Sequence, residues 1–180
     1  MQSSLSQLLV AEHQMILEAG KHVYALRKHW EFNPTEYHLQ ATKIIDFLSV
    51  YADEFHHNKE EEIVFPAISR KNELVGNGIV QELIEQHEDF RLLAQQIRMK
   101  LHLLDFAAAQ KYFEMYINKL RDHIAAENEE LFPMADSIFT QAELDKLYYQ
   151  CIDKDLELGI IRKEELENSL QNFKHNEPVQ

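Results

Sequence analysis

Apolar residues recur at intervals of three and four along most of the chain, the period of a helix with one buried face. Leu5, Leu8, Leu9, Ile16 and Leu17 form the first such stripe, and Ser4 with Gln7 three residues later makes a capping box at its start. The pattern predicts helix A from about Leu5 to His29. Asn33-Pro34-Thr35-Glu36 is a start signal, and Ile44, Leu48, Tyr51, Phe55 and Ile63 then carry helix B to an end after Pro66, near Arg70. Gly76-Asn77-Gly78 is the strongest break in the chain. Beyond it Ile79, Leu83, Ile84, Phe90, Leu93 and Ile97 mark helix C, and a turn falls near Leu104. Phe113, Ile117, Leu120, Ile124 and Leu131 mark helix D, with Pro133 close to its end. Thr140 and Glu143 form another capping box, which opens an amphipathic, acidic region from about Gln141 to Phe173, bent at Gly159. After Lys174 the tail is expected to fray.

An internal repeat runs through this pattern. The block from His56 to Pro66 aligns without gaps to the block from His123 to Pro133, sharing the frame His-x-x-x-Glu-x-x-x-apolar-Phe-Pro. Upstream of each block lies a helix with an acidic or amide residue followed by histidine, Glu12-His13 in helix A and Gln86-His87 in helix C. The chain therefore reads as two helical hairpins, A with B and C with D.

Composition narrows the class. The 180 residues suit one domain, and four glycines and four prolines leave little turn chemistry for strands, so the fold class is all-α. A formal charge of -13 without a basic stripe argues against nucleic acid and membrane partners. No export signal and no apolar run of about 20 residues is present, which leads to the expectation of a cytoplasmic protein. Cys151 is the single cysteine, so a metal would have to sit on nitrogen and oxygen. Ten histidines and 31 acidic residues supply such donors.

Residues four apart lie one above the other on a helix, so His56 with Glu60 and His123 with Glu127 each present a nitrogen and a carboxylate to one side. The helical phase turns these pairs inward. Leu120, Tyr116 and Phe113 precede His123 in its row, with Leu131 and Met134 after Glu127; Leu48, Ala52, His56, Glu60 and Ile63 form the other row. His57 with Glu61 is the alternative register on helix B. His13 and His87 also have apolar neighbours. Buried imidazoles and carboxylates need compensating charge, and two carboxylates from opposite hairpins are placed to bridge two ions. Nitrogen and oxygen donors without sulfur suit Fe, Mn or Zn. Four imidazoles, two bridging carboxylates and a bridging solvent oxygen would leave about two open positions. No phosphate loop, nucleophile elbow or cysteine nucleophile motif appears.

The run His-His-x-Lys-Glu-Glu before Phe-Pro, the second His-x-x-x-Glu before Leu-Phe-Pro, and the Glu-His and Gln-His openings resemble the hemerythrin-like, or HHE cation-binding, family over about residues 5 to 136. The resemblance implies an up-and-down four-helix bundle over residues 1–139, with residues 140–180 as a helical extension packed on the same domain. It implies two carboxylate-bridged iron ions, with Zn or Mn as substitutes, held by His13, His56, Glu60, His87, His123 and Glu127. The implied partner is a small diatomic molecule, oxygen or nitric oxide, or peroxide. The implied role is binding or sensing these molecules or iron; redox turnover of peroxide or nitric oxide, or iron-centre repair, is the alternative. Two departures bear on the role. The positions four away from His87 are Leu83 and Arg91, where oxygen carriers bring a second histidine from helix C. The chain also opens almost directly with helix A, without the cysteine-bearing extension of the repair proteins.

Other residues have plainer roles at this stage. His22, His29, His38, His102 and His175 fall off the inward rows and read as surface residues. Tyr24, Tyr51 and Tyr116 read as core aromatics, and Glu12, Glu88 and Glu130 are candidates to orient ligating imidazoles.

Overall fold

The structure, a computed structural model, describes residues 5–171. The expected Ser4 cap, the helix end at Phe173, the tail past Lys174 and His175 lie outside the described residues. Six principal helices account for most of the chain, and no strand occurs among the described residues. They are α1 (Leu5–Ala25), α2 (residues 34–71), α3 (Gln81–His102), α4 (residues 106–138), α5 (Gln141–Leu158) and α6 (Ile160–Gln171). The first four form the up-and-down bundle, α1 and α3 each packing against both α2 and α4, while α5 and α6 lie against α1 and α2.

The punctuation follows local chemistry. Helix α1 ends at Ala25, four residues before the expected end, because Lys28 turns the chain at φ 63 into a short 3-10 turn, His29–Glu31. That turn delivers Asn33, whose side chain accepts the Glu36 amide and caps α2 ahead of Pro34. At the next break Gly76 is needed for space, since a Cβ there would sit 2.7 Å from the Ser69 Cβ. Thr140 and Glu143 form the expected reciprocal cap of α5. The bend at Gly159 is a full break with φ 107, which separates α5 from α6.

Both Phe-Pro blocks widen their helices. The amide of Phe65 bonds back five residues to the Glu60 carbonyl, and that of Phe132 to the Glu127 carbonyl, so each stretch is a π-turn. Pro66 and Pro133 supply the cause: each lacks an N–H, and its ring would strike a carbonyl four residues back in a regular α-helix. Widening also corrects the expected rows. After Glu60 the buried residue is Val64 rather than Ile63, and Ala135 rather than Met134 follows Leu131, because more than four residues now complete a turn. The row Leu48, Ala52, His56, Glu60, Val64 and Ile68 is buried throughout at strict four-residue spacing.

Two apolar clusters result, with a polar layer between them. On one side lie Ile16, Ala52, Phe90 and Leu120, and on the other Leu9, Val64, Leu83 and Leu131. In every bundle helix the histidines and glutamates noted above fall between the two. His22 is buried instead of exposed, because α1 is flanked by α2, α4, α5 and α6 and so has a wide buried arc. His102 is exposed, and His29 and His38 are half-buried. No helix among the described residues is long and apolar enough to cross a membrane.

Truncating Leu48 in the first cluster tests this division of labour. Leu48→Ala is expected to cost about 2–5 kcal/mol in chemical denaturation. Leu74→Ala, at a side chain 86% exposed, should stay within about 0.5 kcal/mol of the parent.

Candidate metal centre

The structure brings His13, His56, Glu60, His87, His123 and Glu127 together in the layer between the two apolar clusters, each 0–1% exposed. Their donor atoms form two groups. His13, His56, Glu60 and Glu127 make one, and His57, Glu60, His87 and His123 make the other; within each, the ligand atoms lie within 4.8 Å of one another. Glu60 belongs to both, its Oε1 3.4 Å from His56 Nε2 and its Oε2 3.6 Å from His87 Nε2. Glu127 also reaches across, with Oε2 3.1 Å from His13 Nε2 and 3.3 Å from His123 Nε2.

The repeat is visible as a pseudo-two-fold arrangement. His56 and His13 face each other through Nε2 at 2.7 Å, and His123 and His87 do so at 3.1 Å. Such spacing is that of neighbouring donors about 2.1 Å from a shared ion. The opposite ring nitrogens are tied outward. His56 Nδ1 donates to Glu12 at 2.9 Å and His123 Nδ1 to the Gln86 amide oxygen at 2.8 Å. His13 Nδ1 donates to Asn128 at 2.8 Å and His87 Nδ1 to Glu61 at 2.7 Å. A neutral ring that donates a hydrogen bond from Nδ1–H keeps an Nε2 lone pair for the centre, so all four imidazoles are set in the ligating tautomer. Phe132 stacks on His13 and Phe65 on His87, each covering a histidine of the opposite hairpin.

Four residues orient the imidazoles, and three of them were hidden in the sequence. Glu12 orients an imidazole as expected, but Glu88 is paired with Arg91 and Glu130 is exposed; the work falls to Asn128, Glu61 and Gln86 instead. Asn128 and Glu61 occupy equivalent positions of the repeat, which was the available signal. His57 joins His56 rather than replacing it, stacked on His87 with ring centroids 3.9 Å apart. Its Nδ1 lies 3.5 Å from Asp53, too far for a good hydrogen bond. Arg91, at the place where a second helix-C histidine was looked for, binds both Asp53 and Glu61. Tyr51 turns its hydroxyl to Glu167 and Tyr24 to Asn118. Cys151 is buried on α5, where burial pushes its thiol up to about 12.

Electrostatics leave the layer short of positive charge. Burial, and then mutual repulsion, push Glu60 well above the usual carboxylate range, and burial raises Glu127 as well. Burial lowers His13, His57 and His87, and takes His56 down to about 3 and His123 to about 2. Neutral imidazoles cannot neutralise the carboxylates. All four oxygens of Glu60 and Glu127 are buried without a hydrogen-bond donor, and both ring nitrogens of His57 lack a partner. Cations at the two groups would be held by these carboxylate oxygens and by one ring nitrogen of His57, so the residues present fit a metal.

A family model, the hemerythrin HHE cation binding domain, matches residues 4–135. The chain belongs to this family. Searches of curated proteins and of solved structures return no match. The HHE domain is thus a metal-cation-binding bundle with its histidine and glutamate clusters in the middle of the core. Glu60 and Glu127, with raised pKa values, stabilise the metal-free HHE domain fully below about pH 4.5 and lose that contribution as pH rises. The depressed histidines stabilise it above about pH 6.5 and lose theirs as pH falls toward 3. Thermal melts of stripped protein should therefore peak in mildly acid buffer. Zinc addition near neutral pH should abolish the alkaline loss and release about one to two protons per chain, measurable in weak buffer.

Proposed function

We propose that this HHE domain holds two iron ions bridged by Glu60 and Glu127 and uses them, in the cytoplasm, to bind or sense oxygen or nitric oxide. The observation that carries the reading is the position of Glu60, whose two oxygens face histidines of opposite hairpins. Nitrogen and carboxylate donors without thiolate favour iron, with manganese or zinc as substitutes. The donor set is unequal. His57, His87 and His123 supply three imidazoles on one side, and His13 and His56 supply two on the other. His57 thereby replaces, from α2, the histidine that helix C lacks, and the expected number of open positions falls from about two. The ion on the two-histidine side would have the lower ligand count and so the coordination position for a small molecule.

Iron in such a site supplies a redox-active position at which a diatomic molecule can be held. The chain supplies the surroundings. Phe65 and Phe132 stack on His87 and His13, and Leu9, Val64, Leu83 and Leu131 close that end of the layer to water. A dry lining prevents loss of bound ligand to competing solvent and strengthens every electrostatic contact within. The lower ligand count of the two-histidine side also supports redox turnover of peroxide or nitric oxide as a second reading.

Metal analysis decides the first point: purified protein should carry about two iron atoms per chain. His57→Ala and His56→Ala should each lose one ion preferentially, and chelation should lower the melting temperature. An absorption band that shifts when oxygen or nitric oxide is admitted to the anaerobic reduced protein supports binding. Multiple turnovers of peroxide or nitric oxide would favour the enzyme reading, and protein without stoichiometric metal would refute both.

A further inference from the structure

The two halves of the repeat are unequal where their outer hydrogen bonds are concerned. His56 Nδ1 donates a hydrogen bond to the charged Glu12, whereas its counterpart His123 donates to the neutral amide oxygen of Gln86. A buried carboxylate calls for cationic partners, and the repeat marks one of them: Lys59 in the first block stands opposite Ala126 in the second. Lys59 Nζ, with no exposed surface, donates to Glu12 Oε1 and, at 2.8 Å, to Asp155 of α5. Lys163 of α6 donates to the same Glu12 oxygen and, at 2.5 Å, to the other oxygen of Asp155. Two carboxylates and two ammonium groups form a closed, charge-balanced ring between α1, α2, α5 and α6, and none of the four residues is more than 6% exposed.

Docking strength is a poor explanation for this ring, because apolar packing attaches a helix without the desolvation cost of four charges. What the ring achieves is orientation. Both ammonium groups grip Glu12 Oε1, which leaves Oε2 aimed at His56. Burial alone would raise the Glu12 pKa, but the His56 hydrogen bond and the two lysines outweigh it and keep the group ionised. Gln86, by contrast, borders a cleft of about 320 Å³ with Glu82, Asp89 and Asp122, and has no such ring behind it.

We propose that Asp155 and Lys163 are positioning residues for the metal centre, holding Glu12 so that His56 presents Nε2 to the ion shared with His13. The C-terminal helices, which lie beyond the residues 4–135 matched by the family model, thus control one of the two ions and leave the one at His57, His87 and His123 alone. The inference rests on the two-ion reading above.

Cobalt(II) titration of the metal-free full-length protein, followed by visible absorption and elemental analysis, tests it. The parent protein should take up two equivalents. Lys163→Met and the isosteric Asp155→Asn should bind the first as the parent does and the second about 10–100-fold more weakly. Lys163→Arg, which restores a cation, should recover the second equivalent. Arg162→Ala, which removes only an exposed contact of α6 with Glu54, should leave both unchanged. Circular dichroism melts establish that each variant is folded, and Asp155→Asn decides if Lys163→Met is not. Parent-like binding of both equivalents in a folded variant overturns the proposal, as does equal weakening of both. Failure of the parent protein itself to bind two equivalents overturns the two-ion reading instead.

Discussion

Two carboxylates in the middle of a helical bundle, with no hydrogen-bond donor in reach, are the constraint around which this molecule is organised. Ionised and alone, Glu60 and Glu127 would each carry a desolvation penalty of several kcal/mol. The four helices nevertheless aim both at the same small volume, and surround them with imidazoles that burial keeps neutral. Nothing protein-derived discharges the pair. Stability of the core and occupancy of the centre are therefore linked, since protons neutralise the raised carboxylates where no cation does.

Much of this was legible in the sequence, because the relevant signals are periodic. Four-residue spacing placed His56 with Glu60 and His123 with Glu127, and the duplicated Phe-Pro block announced two equivalent half-sites. Helix ends with strong caps, at Asn33 and Thr140, stood where expected. The end of α1 did not, since Lys28 has no compositional mark of the left-handed turn it makes. Rows that passed through a π-turn were off by one residue, because period counting assumes a regular helix. His57 looked like a competitor of His56 for the same reason: adjacent residues on an ordinary helix point about 100° apart, but Leu48–His57 is also wound as a π-helix and both histidines reach the centre. Asp155 and Lys163 could not have been found by periodicity at all. Asp155 binds Lys59, 96 positions away, and Lys163 binds Glu12, 151 positions away, and only tertiary packing unites them.

The inequality of the halves deserves as much weight as their likeness. Of the six places at which the blocks differ, three bear on the centre: His57 against Ile124, Lys59 against Ala126, and Glu61 against Asn128. The first changes the number of nitrogen donors on one side. The second supplies a charge that answers Glu12, itself replaced by Gln86 in the other hairpin. The third exchanges a carboxylate for an amide behind His87 and His13. A symmetrical frame thus carries chemically distinct positions, which a strict duplication could not offer.

The crossing of supports between hairpins has a further consequence. Each eleven-residue block donates to the centre on its own behalf, yet the residue that steadies an imidazole and the phenyl ring that shields it serve the other hairpin: Glu61 and Phe65 serve His87, and Asn128 and Phe132 serve His13. Neither hairpin by itself owns a finished half-site. Assembly is mutual, so that the act of joining the two halves of the chain is also the act that makes the pocket.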